Sequence, residues 1–433
     1  MEPGNITSRA CNVITEKLDS IPSEQPKCMI YRVHSHLRKV NDDAYEPEII
    51  AIGPYHRDKT NLKMLEEHKF SYLNLLLQRK NENIEMYAST IGRLQHEARK
   101  CYAEPIELGP SEFTEMLVID GCFIIELVLK YNMVHLRGTN DPIFQMEWIM
   151  NSLQRDLMLF ENQIPFFILV RLFDLIHEPV PDQHNGQLMV NLFFSFFKNL
   201  YPGKVSSENL NPNRDTIKHL LDLIHSHWFP TPSNLLRFGE ETSHIRKSGR
   251  LIKTATGLRK ANVKFRRNEG SSVTTMFDVG YNNGTILMAP MTIEYRTECF
   301  LRNLIAFEQY LQDSQTTFVT DYVKLLDCLI DSSGDVEVLS RFGIIDNWLG
   351  DYEVVANMVN KLTDSVASPG KHFIYGKLVE IVNSHCKILG NRWMEMLRRN
   401  YWNSPWATIS IIAAAFLLLL SIAQTVSSTL QVV

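Results

Sequence analysis

The chain has 433 residues, with 44 Lys+Arg against 49 Asp+Glu, 45% hydrophobic and 21% charged residues, and a net charge of -5. That length allows two or three domains or one large one, and the apolar fraction suffices for a buried core. The negative balance excludes a wholly basic nucleic-acid binder, and 20 Gly with 18 Pro exclude collagen-like or low-complexity chains.

Residues 1–27, with Pro3, Pro22 and Pro26, read as a loosely ordered polar arm without the apolar core of a secretory signal. Met29 to Val40 reads as extended chain leading to a turn at Asn41-Asp42-Asp43. Thr60 or Asn61 caps a helix to about Gln78 with Leu62, Leu65, Leu73 and Leu76 on its inner side. Ser111 caps another, in which Met116 to Ile119 and Phe123 to Ile125 bury most of the circumference. A helix over 144–160 follows, and Pro165 starts the next. The Pro-, Gly-, Ser- and Asn-rich stretch 201–213 is the best internal linker, a candidate boundary between two lobes. A helix at about 214–228 precedes the clearest β signal: Val273 to Val279 and Thr285 to Ile293 flank Tyr281-Asn282-Asn283-Gly284, whose Asn-Gly suits a type I′ hairpin. Helical patterning returns from Glu294 to Arg399.

The C-terminal end has its own character. From Asn400 to Val433 no residue is charged. Residues 406–426, including Trp406, Ile411, Phe416, Leu418 and Ile422, give about 32 Å of helix against a hydrocarbon core of roughly 30 Å. The expectation is a single transmembrane helix within 401–426 and a short tail, 427–433. Arg392, Arg398 and Arg399 precede the span and nothing basic follows it, which by the positive-inside rule leaves the large domain in the cytosol. Plasma membrane and endomembrane are not distinguished. The odd set of seven cysteines, with no CxxC pair, fits free thiols in a reducing compartment.

No catalytic motif is present: there is no GxSxG elbow, P-loop, HExxH or GxGxxG. No metal or cofactor is called for. His34 and His36 could share a metal if strand-borne but lack a nearby third ligand, and His225 and His227 diverge on a helix. Cys122, ringed by Ile, Phe and Leu, reads as a small core residue rather than a nucleophile. Glu161-Asn162-Gln163 could bind a ligand, although the amides also suit freed carbonyls at a helix end. The strongest electrostatic feature is 246–267, with nine basic residues and no acidic one. On a helix, Leu251, Ala255 and Leu258 form one stripe, with Arg246, Arg250, Lys253 and Lys260 opposite. With Arg266 and Arg267 these are the candidate contacts to an acidic partner or anionic lipid headgroups; nucleic acid is disfavoured because no aromatics are interleaved.

Several segments belong together: Tyr31-Arg32-Val33, Ala44-Tyr45-Glu46-Pro47, Ile52-Gly53-Pro54-Tyr55-His56, Glu66-Glu67-His68-Lys69, Met116 to Phe123, Glu161 to Phe167 and Arg302 to Gln309. In this order, followed by the apolar C-terminal segment, they resemble the plant family catalogued as domain of unknown function 247 (UPF0481), over about 28–426. His34 departs from a family pattern that often has proline there. The resemblance implies a plant membrane protein with no established enzymatic activity or cofactor, some relatives being linked to self-incompatibility in grasses. It supplies no catalytic residues.

The expected fold is mainly α, with one small β-hairpin element: a helix-rich domain over 28–400 followed by the membrane anchor. The leading functional expectation is a membrane-tethered module for protein interaction, recognition or signalling. The alternatives are a hydrolase or transferase using Glu161, His56 or Cys122, and a membrane-surface scaffold acting through 246–267.

Overall fold

The computed structural model describes residues 29–177, 185–203, 214, 216–228, 251–269, 275–311, 317–366, 373–387 and 405–431, with 11, 14 and 15. The chain divides into two compact units: Met1–Asn199 with Asn211–His227, and Leu200–Leu210 with Trp228–Val433.

The first unit is helical. Its elements are α1 (Ser35–Arg38), α2 (Glu66–Lys80), α3 (Ile84–Lys100), α4 (Pro110–Asn132), α5 (Pro142–Gln145), α6 (Glu147–Asp156), α7 (Phe166–Ile176), α8 (Asn185–Phe197) and most of α9 (Leu220–Trp228). The inner leucines expected at 62, 65, 73 and 76 are all buried, the first two on a 3-10 turn, Thr60–Leu65, that leads into α2. The central element is α4, against which α2, α3, α7 and α8 pack. Every residue from Met116 to Lys130 is buried, so its polar side chains must find partners within the fold. Asp120 takes the Lys69 ammonium at 2.7 Å, Glu126 takes the Arg79 guanidinium through both oxygens at 2.6 and 2.7 Å, and Lys130 meets Asp141 at 3.0 Å. Its start differs in detail from expectation: Pro110 is the first helical residue, and Glu112 reaches back to accept the Gly109 N–H.

A non-helical stretch, 48–53, buried from Ile49 onward, crosses this unit. Its backbone groups bond to side chains instead of to a neighbouring strand. Asp156 accepts the N–H groups of Glu48, Ile49 and Ile50 at 2.8–3.1 Å. Asn162 accepts from Ile52 at 2.7 Å and donates to the Ile50 carbonyl, Lys69 donates to the Ala51 carbonyl, and Asp120 accepts from Gly53. Gly53 is required here: its φ is 73°, and a Cβ would lie 2.5 Å from the Gln163 carbonyl oxygen.

The second unit adds α10 (Ala255–Lys260), β1 (Lys264–Arg267), β2 (Val279–Asn282), β3 (Thr285–Met288), β4 (Met291–Ile293), α11 (Thr297–Gln309), α12 (Phe318–Leu329), α13 (Ser333–Arg341), β5 (Ile345–Asn347), α14 (Tyr352–Leu362), α15 (Gly376–Lys387) and α16 (Pro405–Gln431). The expected Asn283-Gly284 turn forms, with φ 45° and 78°, the two positive angles of type I′. Its strands differ from those expected at 273–279 and 285–293: β2 begins at Val279 and takes in Tyr281 and Asn282, β3 ends at Met288, and 291–293 is a separate strand. Residues 271–274 lie outside the described residues. Two further pairings go beyond one hairpin: β1 joins β3 in parallel, giving the order β1-β3-β2, and β4 pairs with β5 in parallel. Strands of three or four residues carry too little alternation to announce themselves. The aromatic core joins Trp228, Phe277, Phe300 and Tyr322.

The expected C-terminal transmembrane helix is not supported. Among the described residues no helix is long and apolar enough to cross a membrane. The helix α16 does contain the apolar run, with Phe416, Leu418 and Ile422 exposed. The side chains of Trp406 and Ile411 lie outside the described set. Among the described residues the fold is therefore mainly helical with two small sheets.

Candidate functional site

Two neighbourhoods of the first unit test the sequence candidates. The first gathers charge around Glu161, which follows α6. Its carboxylate is fully buried and accepts from the Val33 N–H at 2.5 Å and from Arg38 through Nε at 3.2 Å and a terminal nitrogen at 2.7 Å. His56, also buried, stands between two carboxylates, 3.4 Å from Glu161 and 3.7 Å from Glu46. Arg38 also reaches Glu46 and Asp42, and Lys59 pairs with Glu46. Burial opposes the charge on Glu161, yet His56, Arg38 and the Val33 N–H together hold its carboxyl below the usual carboxylate range.

Glu161 and His56, separated by more than a hundred residues in sequence, thus meet as a catalytic pair would. The surroundings give them another task. Both side chains are closed off, and the carboxylate's accepting positions are occupied by groups that pin 32–38 to the end of α6. The recess beside them has a volume of about 340 Å³ and is lined by Arg32, Tyr55, Arg57, Asp58 and Glu104, not by Glu161 or His56. Cys122 does not join them: it is fully buried on α4, and burial pushes its thiol well above the ordinary value. Asn162 and Gln163 satisfy backbone, Gln163 donating to the carbonyls of Leu157 and Leu159 and accepting from the Leu220 N–H.

The remaining candidates disperse. His34 caps α1 rather than sitting on a strand, its Nδ1 2.6 Å from that of His36. Among the described residues no three His, Cys, Asp or Glu are arranged to hold a metal. His227 stacks on Phe194, and burial lowers its pKa to about 4. Arg246 and Arg250 lie outside the described residues. Lys253, Lys260, Arg266 and Arg267 are exposed, but the segment is no single basic helix: α10 covers only 255–260, and the last two arginines belong to β1.

The second neighbourhood was not singled out from sequence. A groove of about 600 Å³ runs between α2, α3 and α4. Leu73, Val118 and Ile119 form its floor, and Phe70 and Ile84 stand exposed at its edge. Its depth comes from α3, where Ala88 and Gly92, four residues apart, place two small residues on one face. A Cβ on Gly92 would meet only the Thr114 methyl, at 3.8 Å. Gln95 carries a buried side-chain oxygen with no hydrogen-bond partner, and Glu115 is the charged residue of the lining. The available sequence signal was the recurrence of Ile84, Ala88, Gly92 and Gln95 along one helical face.

A family model described as a plant protein of unknown function, DUF247, matches residues 30–420. A UPF0481 protein of Arabidopsis thaliana is 29% identical, covering 93% of this chain and 87% of its own. A putative UPF0481 protein of the same plant is 22% identical, covering 93% of this chain and 90% of its own. No solved structure matches the chain.

Proposed function

The chain belongs to the plant DUF247 family of unknown function, and we propose that it acts as a protein-interaction module whose first unit receives an amphipathic helix of a partner. The α2–α3–α4 groove carries this reading: it is concave, apolar at its floor, and edged by two exposed side chains, Phe70 and Ile84. Apolar residues at i, i+4 and i+7 of a bound helix would fill such a floor, and a donor beside them would meet the Gln95 oxygen. A hydrolase or transferase is less well supported, because Glu161 is consumed in holding the Val33 backbone and Arg38, and neither it nor His56 lines the neighbouring recess.

The test uses a fluorescently labelled amphipathic helical peptide with one leucine face and a face of glutamine and serine. It should bind the full chain, while a scrambled peptide should not. Gly92→Leu, which plugs the groove where the wall has room, should weaken binding about tenfold or more. Equal affinity for wild type and Gly92→Leu, at unchanged thermal stability, would sink the reading.

A further inference from the structure

We infer that the end of the β4–β5 pair in the second unit is a docking surface for a basic, extended segment of a partner protein. Because the two strands run parallel, the residues that follow each one emerge at the same end. Trp348 leaves β5 with its N–H bonded to the Ile293 carbonyl at 2.9 Å, and Glu294-Tyr295-Arg296 leaves β4. The chain then turns at Gly350, φ 85°, and Asp351 caps α14, whose first residue is Tyr352. Two aromatic side chains, Trp348 and Tyr352, therefore belong to the residues that follow β5, and a third, Tyr295, to those that follow β4. All are exposed, Trp348 to 69% and Tyr295 to 64%.

Such exposure of tryptophan is unusual for a residue that contributes most when buried. The Trp348 ring is also held in place: its indole N–H donates to Asp346 at 2.9 Å. An aromatic face ordered before binding loses little entropy on contact and is the kind of group that dominates interfaces. The surrounding charge selects the partner. Glu294 is answered by Arg296 at 2.8 Å, whereas Asp346, Asp351 and Glu353 are exposed acids within a few residues of Trp348. Arg296 lies over the Tyr295 ring at 5.6 Å, and a partner's lysine or arginine laid over Trp348, with carboxylates at hand, fits both its π-face and the sign of the field.

This surface differs from the apolar groove in residues and chemistry, so the two can be tested apart. The probe is fluorescein-labelled octa-arginine, titrated into the full chain at low and at high salt. It should bind, more weakly as salt rises, and Trp348→Ala should weaken it about tenfold. Trp348→Phe should recover part of the loss, and Asp346→Ala, which removes the acceptor that holds the indole, should cost a few-fold. Gly92→Leu should leave this binding unchanged. Unaltered affinity in Trp348→Ala would overturn the inference, since octa-arginine would then be held by net charge alone. Binding of cellohexaose or octa-glutamate in place of octa-arginine would overturn it too.

Discussion

The two units satisfy non-helical backbone in opposite ways. In the first, 48–53 is bonded by Asp156, Asn162, Lys69 and Asp120, side chains from three separate helices and the turn after α6. In the second, β1, β3 and β2 bond to one another, and β4 bonds to β5. Backbone pairing is indifferent to most side chains, so a paired segment tolerates substitution. A segment held by side chains depends on particular carboxylates and amides at fixed places. Motifs such as Ile52-Gly53-Pro54-Tyr55-His56 and Glu161-Asn162-Gln163 lie where that dependence is greatest.

The largest effect is therefore expected in the first unit. Asp156→Ala strands two buried N–H groups and a half-buried one and should cost about 3–5 kcal/mol, read from chemical denaturation. A cost below about 1 kcal/mol would mean that water replaces the carboxylate, and the contrast between the units would lose its basis.

A smaller effect, of distinct form, belongs to the second unit. Asp321 accepts the Ile374 N–H from a buried position, and burial, aided by the neighbouring Glu308 charge, pushes its pKa up to about 7. A raised carboxyl binds its proton more tightly folded than unfolded, so the folded state gains stability as pH falls from about 7 toward its unfolded value near 3.8. Asp321→Asn keeps an acceptor for Ile374 and removes the titration. The variant should lack about 2–4 kcal/mol of that pH dependence, measured by denaturation at pH 4 and pH 8. A slope identical to wild type would show that other groups carry it.

How much of this was legible follows from the range of the interactions. The inner face of the leucines at 62, 65, 73 and 76 and the Asn283-Gly284 turn are settled within a few residues and read correctly, whereas the expected cap at Thr60 or Asn61 did not: 60–65 is a 3-10 turn and α2 starts at Glu66. The pairing of β4 with β5 joins residues 291–293 to 345–347, beyond any local pattern. The same holds for Asp156, whose partners lie more than a hundred residues earlier. Sequence nevertheless carried a hint: Asp156 and Glu161 to Gln163 interrupt an otherwise apolar stretch, where polar side chains need buried partners. The groove escaped because its signature is small size, and alanine or glycine on a helix carries no chemical motif.

The smallest expected effect concerns that glycine. Gly92 sits inside α3, where glycine costs helix stability and no backbone angle requires it. Gly92→Ala should raise stability by about 0.5–1 kcal/mol, because the added methyl meets only Thr114 at ordinary contact distance. Stabilisation together with weaker helix binding would show that an open groove is kept at the expense of the scaffold. Destabilisation would show that the wall is already tight.

The path of the chain has a consequence for synthesis. The first unit takes back residues 211–227 after the chain has supplied 200–210 to the second. Those late residues complete earlier ones: the Phe166 N–H bonds the Lys218 carbonyl, and the Gln163 side chain receives the Leu220 N–H. A ribosome that has made the first 200 residues has thus released a helical body with its last wedge missing. Closure awaits the return segment, and until then chaperones meet a nascent chain whose apolar interior is still one helix short.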